Sequence, residues 1–334
     1  MSSKILSMFA TLVLSVAAMA IAETAAGAQP RPAQMPGYPA RDKIRTTHVQ
    51  GNVWQLSGAG GNITVQVGDE GVFLVNTGEG RADAAVLAAI REIAGRKPLL
   101  YIANTQANSW NVGGNPAVRA AGTTFTGGNA NVRGVSDVGA GATVVAHENS
   151  LLAMSSGGKA LPEAYWPGQS FYVDTLDLFF NDEAIELIHV PKAITDGDLI
   201  VHFRRSDVIS TGDVFSFGSY PMIDRSRGGG LDGTIKALER IMEIAIVDNW
   251  EEGGTLIVAG SGRIADQSEV VRYRNMLVFI RDQITDMIKA GMTLEQIRLA
   301  RPILDFDAVY SRPGWTGNDF LQVVYEDLRA QTRP

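Results

Sequence analysis

The sequence predicts an α/β fold in which two β-sheets pack together with helices outside. Two observations carry this. Clusters of short apolar, partly β-branched runs are followed by helical periodicity, once in each half of the chain. The chain also has 334 residues, 45% of them hydrophobic. At that length roughly 75% of the unfolded surface can be buried, so folding needs neither disulfides nor a structural metal.

The elements follow in order. Lys4 precedes an unbroken apolar run from Ile5 to Ala22, with small-x-small patterns at Ala20–Ala22 and Ala26–Ala28. This is the layout of a secretory signal peptide over residues 1–28, so an exported protein without a retained span is expected. Residues 29–45 hold Pro30, Pro32, Pro36 and Pro39 and read as an extended lead-in to a single domain over 46–334. From Val53 to Thr77, VWQL, NITVQVG and GVFLVNTG are strands separated by Gly-rich turns. Ala85, Ala89, Ile90 and Ile93 recur at helical spacing over Arg81–Ala94. A strand at Leu99–Ala103, a polar loop and a helix over Asn115–Ala121 come next. Gly127–Gly141 is Gly- and Asn-rich and reads as an exposed excursion. Further strands are expected at Thr143–Ala146, Ala184–Val190, Leu199–Phe203, Val208–Thr211 and Thr255–Val258. Helices are expected at Leu231–Ile246, Gln267–Lys289, Thr293–Ala300 and Asp319–Gln331.

Composition excludes several functions. There is no Cys, which removes a disulfide framework, a zinc ribbon and a catalytic thiol. Lys and Arg total 29 against 36 Asp and Glu, a net charge of −7, and no basic run occurs. Nucleic acid is therefore not the expected partner, because phosphate contacts need clustered cations.

Four loops, each directly after a strand, matter together: NTQANSWNVGGN (Asn104–Asn115), PKAITDGD (Pro191–Asp198), STGDVF (Ser210–Phe215) and VAGSGR (Val258–Arg263). Their order and flanks resemble the metallo-β-lactamase-fold superfamily, in particular its exported hydrolase-like branch. They stand where that family has NTHxHxDHxGGN, AHTDGD, TGD and PGHG. LVNTG at Leu74–Gly78, the Gly218–Leu238 segment and the C-terminal AGMTLEQIRLARPILDFD fit the same pattern. The resemblance runs from about Val53 to Leu328. It implies an αββα four-layer sandwich with a cleft along the sheet edges, where His and Asp hold one or two zinc ions. There the metal polarises the substrate and makes bound water a nucleophile.

The resemblance also shows what is missing. The family's ligand positions fall on Gln106, Asn108, Trp110, Asn111, Ile194, Asp213 and Ser261, and only Asp213 is a family ligand type. The Asp of LVDTG is Asn76, and none of His48, His147, His189 and His202 lies at a ligand position. Amides are poor zinc ligands, and one carboxylate does not make a zinc cage. The expectation is a cleft without zinc or any other cofactor.

Other chemistry in the same loops has simpler readings. Ser109 or Ser261 as a nucleophile needs a base and an orienting group, and the spacing shows no such triad. Asp196, Asp198 and Asp213 could line an oxygen-rich cation pocket, but TDGD before a strand reads as a turn with Asp accepting backbone N–H bonds. His147, His189 and His202 lie in or beside strands and read as structural. GAGGN at Gly58–Asn62 joins two strands and lacks the helix of a phosphate cradle. Among Trp110, Trp166, Trp315, Tyr165 and Tyr220, the first and last are the leading candidates to contact a ligand. The reading is an exported metallo-β-lactamase-like pseudoenzyme that binds a small molecule. The alternatives are a hydrolase with an unusual catalyst and an interaction protein with a filled cleft.

Overall fold

The computed structural model describes residues 43–124, 141–156, 160–248 and 253–331. The expected signal peptide, nearly all of the Pro-rich lead-in and most of the Gly127–Gly141 excursion lie outside the described residues. One sheet contains β1 (Arg45–Gln50), β2 (Val53–Ala59), β3 (Gly61–Val67), β4 (Val72–Val75), β5 (Leu99–Ala103), β6 (Thr143–His147) and β7 (Gln169–Phe171), in that order. Its first four strands are antiparallel and those from β4 onward run parallel. The second sheet holds β8 (Thr175–Phe180), β9 (Glu183–His189), β10 (Leu199–Phe203), β11 (Val208–Ser210), β12 (Leu256–Val258) and β13 (Ile264–Ala265), ordered β13-β12-β11-β10-β9-β8. Only β11 and β12 pair in parallel there.

The helices are α1 (Asp83–Ala94), α2 (Ser109–Val112), α3 (Asn115–Ala120), α4 (Glu148–Ser155), α5 (Leu231–Ile244), α6 (Gln267–Lys289), α7 (Leu294–Ala300), α8 (Leu304–Tyr310) and α9 (Gly317–Gln331). The period-2 alternation of strands sorts side chains into layers. Phe73 and Val75 of β4 meet Leu199, Val201 and Phe203 of β10 between the sheets. Val72 and Leu74 face the other way, onto Val86, Ala89 and Ile90 of α1. Ile200, Ile209 and Ile257 on the far face of the second sheet pack against Leu238 and Ile241 of α5, Leu277 of α6 and Phe320 of α9. The result is the expected αββα sandwich.

Helix α6 starts at a capping box in which Asp266 and Glu269 satisfy each other's backbone N–H groups, and Thr293 with Gln296 does the same for α7. Seven elements went unforeseen: β1, β7, β8, β13, α2, α4 and α8. β1 is polar and buries only Val49, because an edge strand needs a ladder more than an apolar face. β8 is the opposite edge of the second sheet and leaves Phe179 exposed. Helices α4 and α8 are short, eight and seven residues, too short for periodicity to show.

Candidate functional site

The four loops leave strands β5, β9, β11 and β12 and are sewn together by backbone bonds. Leu199 N–H donates to the Thr105 carbonyl at 2.9 Å, Thr211 N–H to Val258 at 3.0 Å, and Gly260 N–H to Phe215 at 2.9 Å. The turn between β2 and β3 lies across them. Asn62 N–H donates to the Gly260 carbonyl at 2.8 Å, and its side chain donates to the Ala259 and Gly262 carbonyls at 2.9 and 3.0 Å. Gly61 permits this approach: a Cβ there would stand 3.2 Å from the Gly260 carbonyl oxygen and 3.4 Å from Asn111 Oδ1.

Beneath that turn, Asp213 is the hub. Its Oδ2 accepts hydrogen bonds from Gln106 Nε2 at 2.5 Å, Trp110 Nε1 at 2.6 Å and Asn111 Nδ2 at 3.0 Å. Asn108 joins one step back, donating from Nδ2 to Gln106 Oε1 at 2.9 Å, and its own Oδ1 accepts from Arg227 Nη1 at 2.9 Å. Asp213 Oδ1 and Ser261 Oγ are buried and have no hydrogen-bond partner among the described residues. Oδ1 sits against Gly260, where a Cβ would come within 2.7 Å of it.

The hub is electrostatically tense. Burial pushes the Asp213 carboxyl above the usual carboxylate range, while the indole of Trp110 and the neighbouring amides pull it back down. Asp198 is also fully enclosed, and burial, with added repulsion from Asp213, pushes it well up. Its Oδ2 accepts from the Thr195 N–H at 2.5 Å and the Thr195 hydroxyl at 3.2 Å, the turn role expected for TDGD.

Asn76 fits the amide network beside it. It adopts a left-handed φ of 64°, which Asn tolerates better than most residues. Its Oδ1 accepts from Thr105 N–H at 2.9 Å, and its Nδ2 donates to Thr105 Oγ1 at 2.9 Å and to Asn111 Oδ1 at 3.4 Å. An ionised Asp in its place could only accept, and would set a carboxylate against the Asn111 oxygen.

Of the seven ligand-equivalent positions, the structure joins Gln106, Asn108, Trp110, Asn111 and Asp213 in one network. Ile194 is fully buried in the apolar core that backs the second sheet, and Ser261 is buried beside the hub. Trp110 is half-buried. Tyr220 corrects the sequence reading. It is fully buried, stacks on Phe320 with centroids 4.7 Å apart and donates its hydroxyl to Asp307 at 3.1 Å. It is a core side chain, because the loop after TGD tucks it under α9 instead of presenting it to the cleft.

The three strand-associated His are all hydrogen-bonded. His202 bonds Glu186 at 3.0 Å, and His189 Nε2 bonds the Asp196 carbonyl at 2.8 Å. His147 caps α4 by accepting from Asn149 N–H at 3.3 Å and stacks on His189, centroids 3.6 Å apart. Sequence reasoning missed that stack and also Arg227. The only sequence signal for Arg227 was a cation in the segment after TGD.

Zinc does not fit this donor set. Among the described residues no group of three or more His, Cys, Asp or Glu could hold a metal ion. The Asp213 oxygen facing the ligand-equivalent side chains is already engaged by three donors.

No protein-family profile and no curated protein matches the chain. Solved structures do. A metallo-β-lactamase from Pontibacter korlensis is 16% identical with a TM-score of 0.54, the match covering 71% of this chain and 99% of that one. The stereoselective inverting sec-alkylsulfatase Pisa1 from Pseudomonas sp. is 13% identical with a TM-score of 0.58, covering 85% of this chain. The chain spans 50% of the sulfatase's length. These likenesses define the molecule as a protein of the metallo-β-lactamase fold. What sets it apart is a metal-ligand constellation reduced to one carboxylate. Among the described residues no helix is long and apolar enough to cross a membrane.

Proposed function

We propose that this is an exported metallo-β-lactamase-fold pseudoenzyme, a protein that has given up zinc-dependent hydrolysis and uses the remaining cleft to bind a small molecule. The observation that carries this is the saturation of Asp213 Oδ2 by Gln106, Trp110 and Asn111. Protein donors occupy the carboxylate where a metal-dependent hydrolase would need it free. The half-buried Trp110 and the Arg227 side chain, 27% exposed, border that floor and are the groups a ligand would meet. Export rests on the apolar run Ile5–Ala22 and its small-x-small patterns.

A second reading, an interaction protein with a filled cleft, is favoured by the β2–β3 turn lying on Gly260 and Asn111. A hydrolase with a Ser catalyst has less support. Ser261 is 1% exposed and has no base within bonding reach among the described residues, and His189 is committed to the Asp196 carbonyl.

The test is a calorimetric zinc titration of the mature protein, with β-lactam, lactone and thioester hydrolysis followed in added zinc. No saturable binding and no turnover are expected. Stoichiometric zinc with chelator-sensitive turnover would overturn the proposal. A thermal-shift ligand screen, with hits lost in Trp110→Ala, separates binding from a filled cleft.

A further inference from the structure

The family's metal supplies positive charge to the carboxylate at position 213, and this chain still buries that carboxylate. Asp213 is 4% exposed, and among the described residues its hydrogen-bond donors are all neutral. A buried anion with only neutral donors is costly, so a compensating charge should be sought nearby.

The hydrogen bonds lead to one. Arg227 Nη1 donates to Asn108 Oδ1 at 2.9 Å, Asn108 Nδ2 donates to Gln106 Oε1 at 2.9 Å, and Gln106 Nε2 donates to Asp213 Oδ2 at 2.5 Å. The direction of this chain is fixed at both ends. A guanidinium can only donate and a carboxylate can only accept, so each amide between them must turn its oxygen toward Arg227 and its nitrogen toward Asp213. Bonds aligned in this way polarise one another in a low-dielectric interior. Asn108 is 8% exposed and Gln106 fully buried, so the run is shielded from water over most of its length.

We infer that Arg227 replaces the metal as the counter-charge of Asp213, its charge carried inward by Asn108 and Gln106, the two residues at the positions of the family's leading His. The inference rests on the metal-free reading above and goes further by naming what took the metal's place. It also explains why these positions carry amides. An amide both accepts and donates, and so passes polarity along, whereas an aliphatic residue would break the link and a carboxylate, which only accepts, would end it. Arg227 is a positioning residue here: through Asn108 and Gln106 it orients the donors that meet at Asp213 Oδ2. Its ion pair, with Asp224 at 3.6 Å, is half-buried and leaves the Asn108 bond intact.

The test is a double-mutant cycle of Arg227→Gln and Asp213→Asn in the full mature chain, read by urea unfolding. A residue that merely props Asn108 gives additive costs. A counter-charge gives coupling: losing Arg227 should shift the unfolding equilibrium about tenfold more in the wild-type background than in the Asp213→Asn background, about 1.4 kcal/mol. Coupling below twofold overturns the inference. If Asp213→Asn does not fold, the cycle is run with Gln106→Leu, which cuts the relay while keeping the Arg227–Asn108 bond. Arg227 and Gln106 share no bond, so coupling of at least fivefold between them supports the relay and additivity refutes it. A zinc titration of the same wild-type preparation keeps the two ideas apart. Stoichiometric zinc would sink the metal-free reading whatever the cycle gave. Additive costs without zinc would sink only the counter-charge.

Discussion

Replacing Asp213 by Asn and by Ala separates a hydrogen-bond hub from a metal ligand. In the structure, Oδ2 accepts three protein donors while Oδ1 has none among the described residues and faces the Gly260–Ser261 turn. An Asn can keep its oxygen on the three donors and turn its NH2 toward Oδ1's place beside Gly260. Three bonds weaken from charge-assisted to neutral, but the penalty of burying a charge disappears, so Asp213→Asn should change stability by about 1 kcal/mol or less. Asp213→Ala leaves the Gln106, Trp110 and Asn111 donors without an acceptor. At about 1–3 kcal/mol for each stranded buried group, discounted because Trp110 is half-buried and water can reach it, the expected cost is about 3–5 kcal/mol. Urea unfolding of the three proteins at pH 7 measures the difference. If Asn costs as much as Ala, position 213 requires the charge itself, as a bound cation would, and the hub account is wrong.

Two other perturbations give independent readings. Stability should fall as pH drops from about 6.5 to about 4, because burial and the stacked His189 lower the His147 pKa to about 4 while the unfolded imidazole takes up its proton near 6.5. The contribution is complete above pH 6.5. Asp196 and Asp174 oppose the shift, and His147→Gln should flatten this limb of a urea-midpoint profile against pH. Gln106→His, Asn108→His or Asn111→His alone should bind zinc no better than wild type in the same titration, because one imidazole beside Asp213 cannot fill a coordination shell. Restoring all six lost ligands, with Trp110→Asp and Ile194→His among them, should create saturable zinc binding, at a stability cost from Ile194 leaving the core.

The sequence made the sandwich and its loops legible because both depend on local signals. Strand alternation, Gly-rich turns and the TDGD turn repeat in the structure almost residue for residue. Edge strands β1 and β8 escaped because they bury little. Tyr220 was misplaced because an aromatic between a loop and a helix looks the same whether it faces a cleft or the Phe320 ring. Which lost ligands would meet was legible only as a group. The equivalences identified Gln106, Asn108 and Asn111, but not that three donors would share one oxygen. Arg227 lies 119 residues from Asn108, and no spacing rule joins the two.

The central claim is that protein donors have taken over the metal's place. A crystal structure of the mature protein grown with added zinc, with anomalous data collected on both sides of the zinc edge, tests it most directly. The account predicts no anomalous peak beside Asp213 and three donors within about 3 Å of one carboxylate oxygen. A zinc peak bound to Asp213, with Gln106 or Asn111 swung away from it, would contradict it.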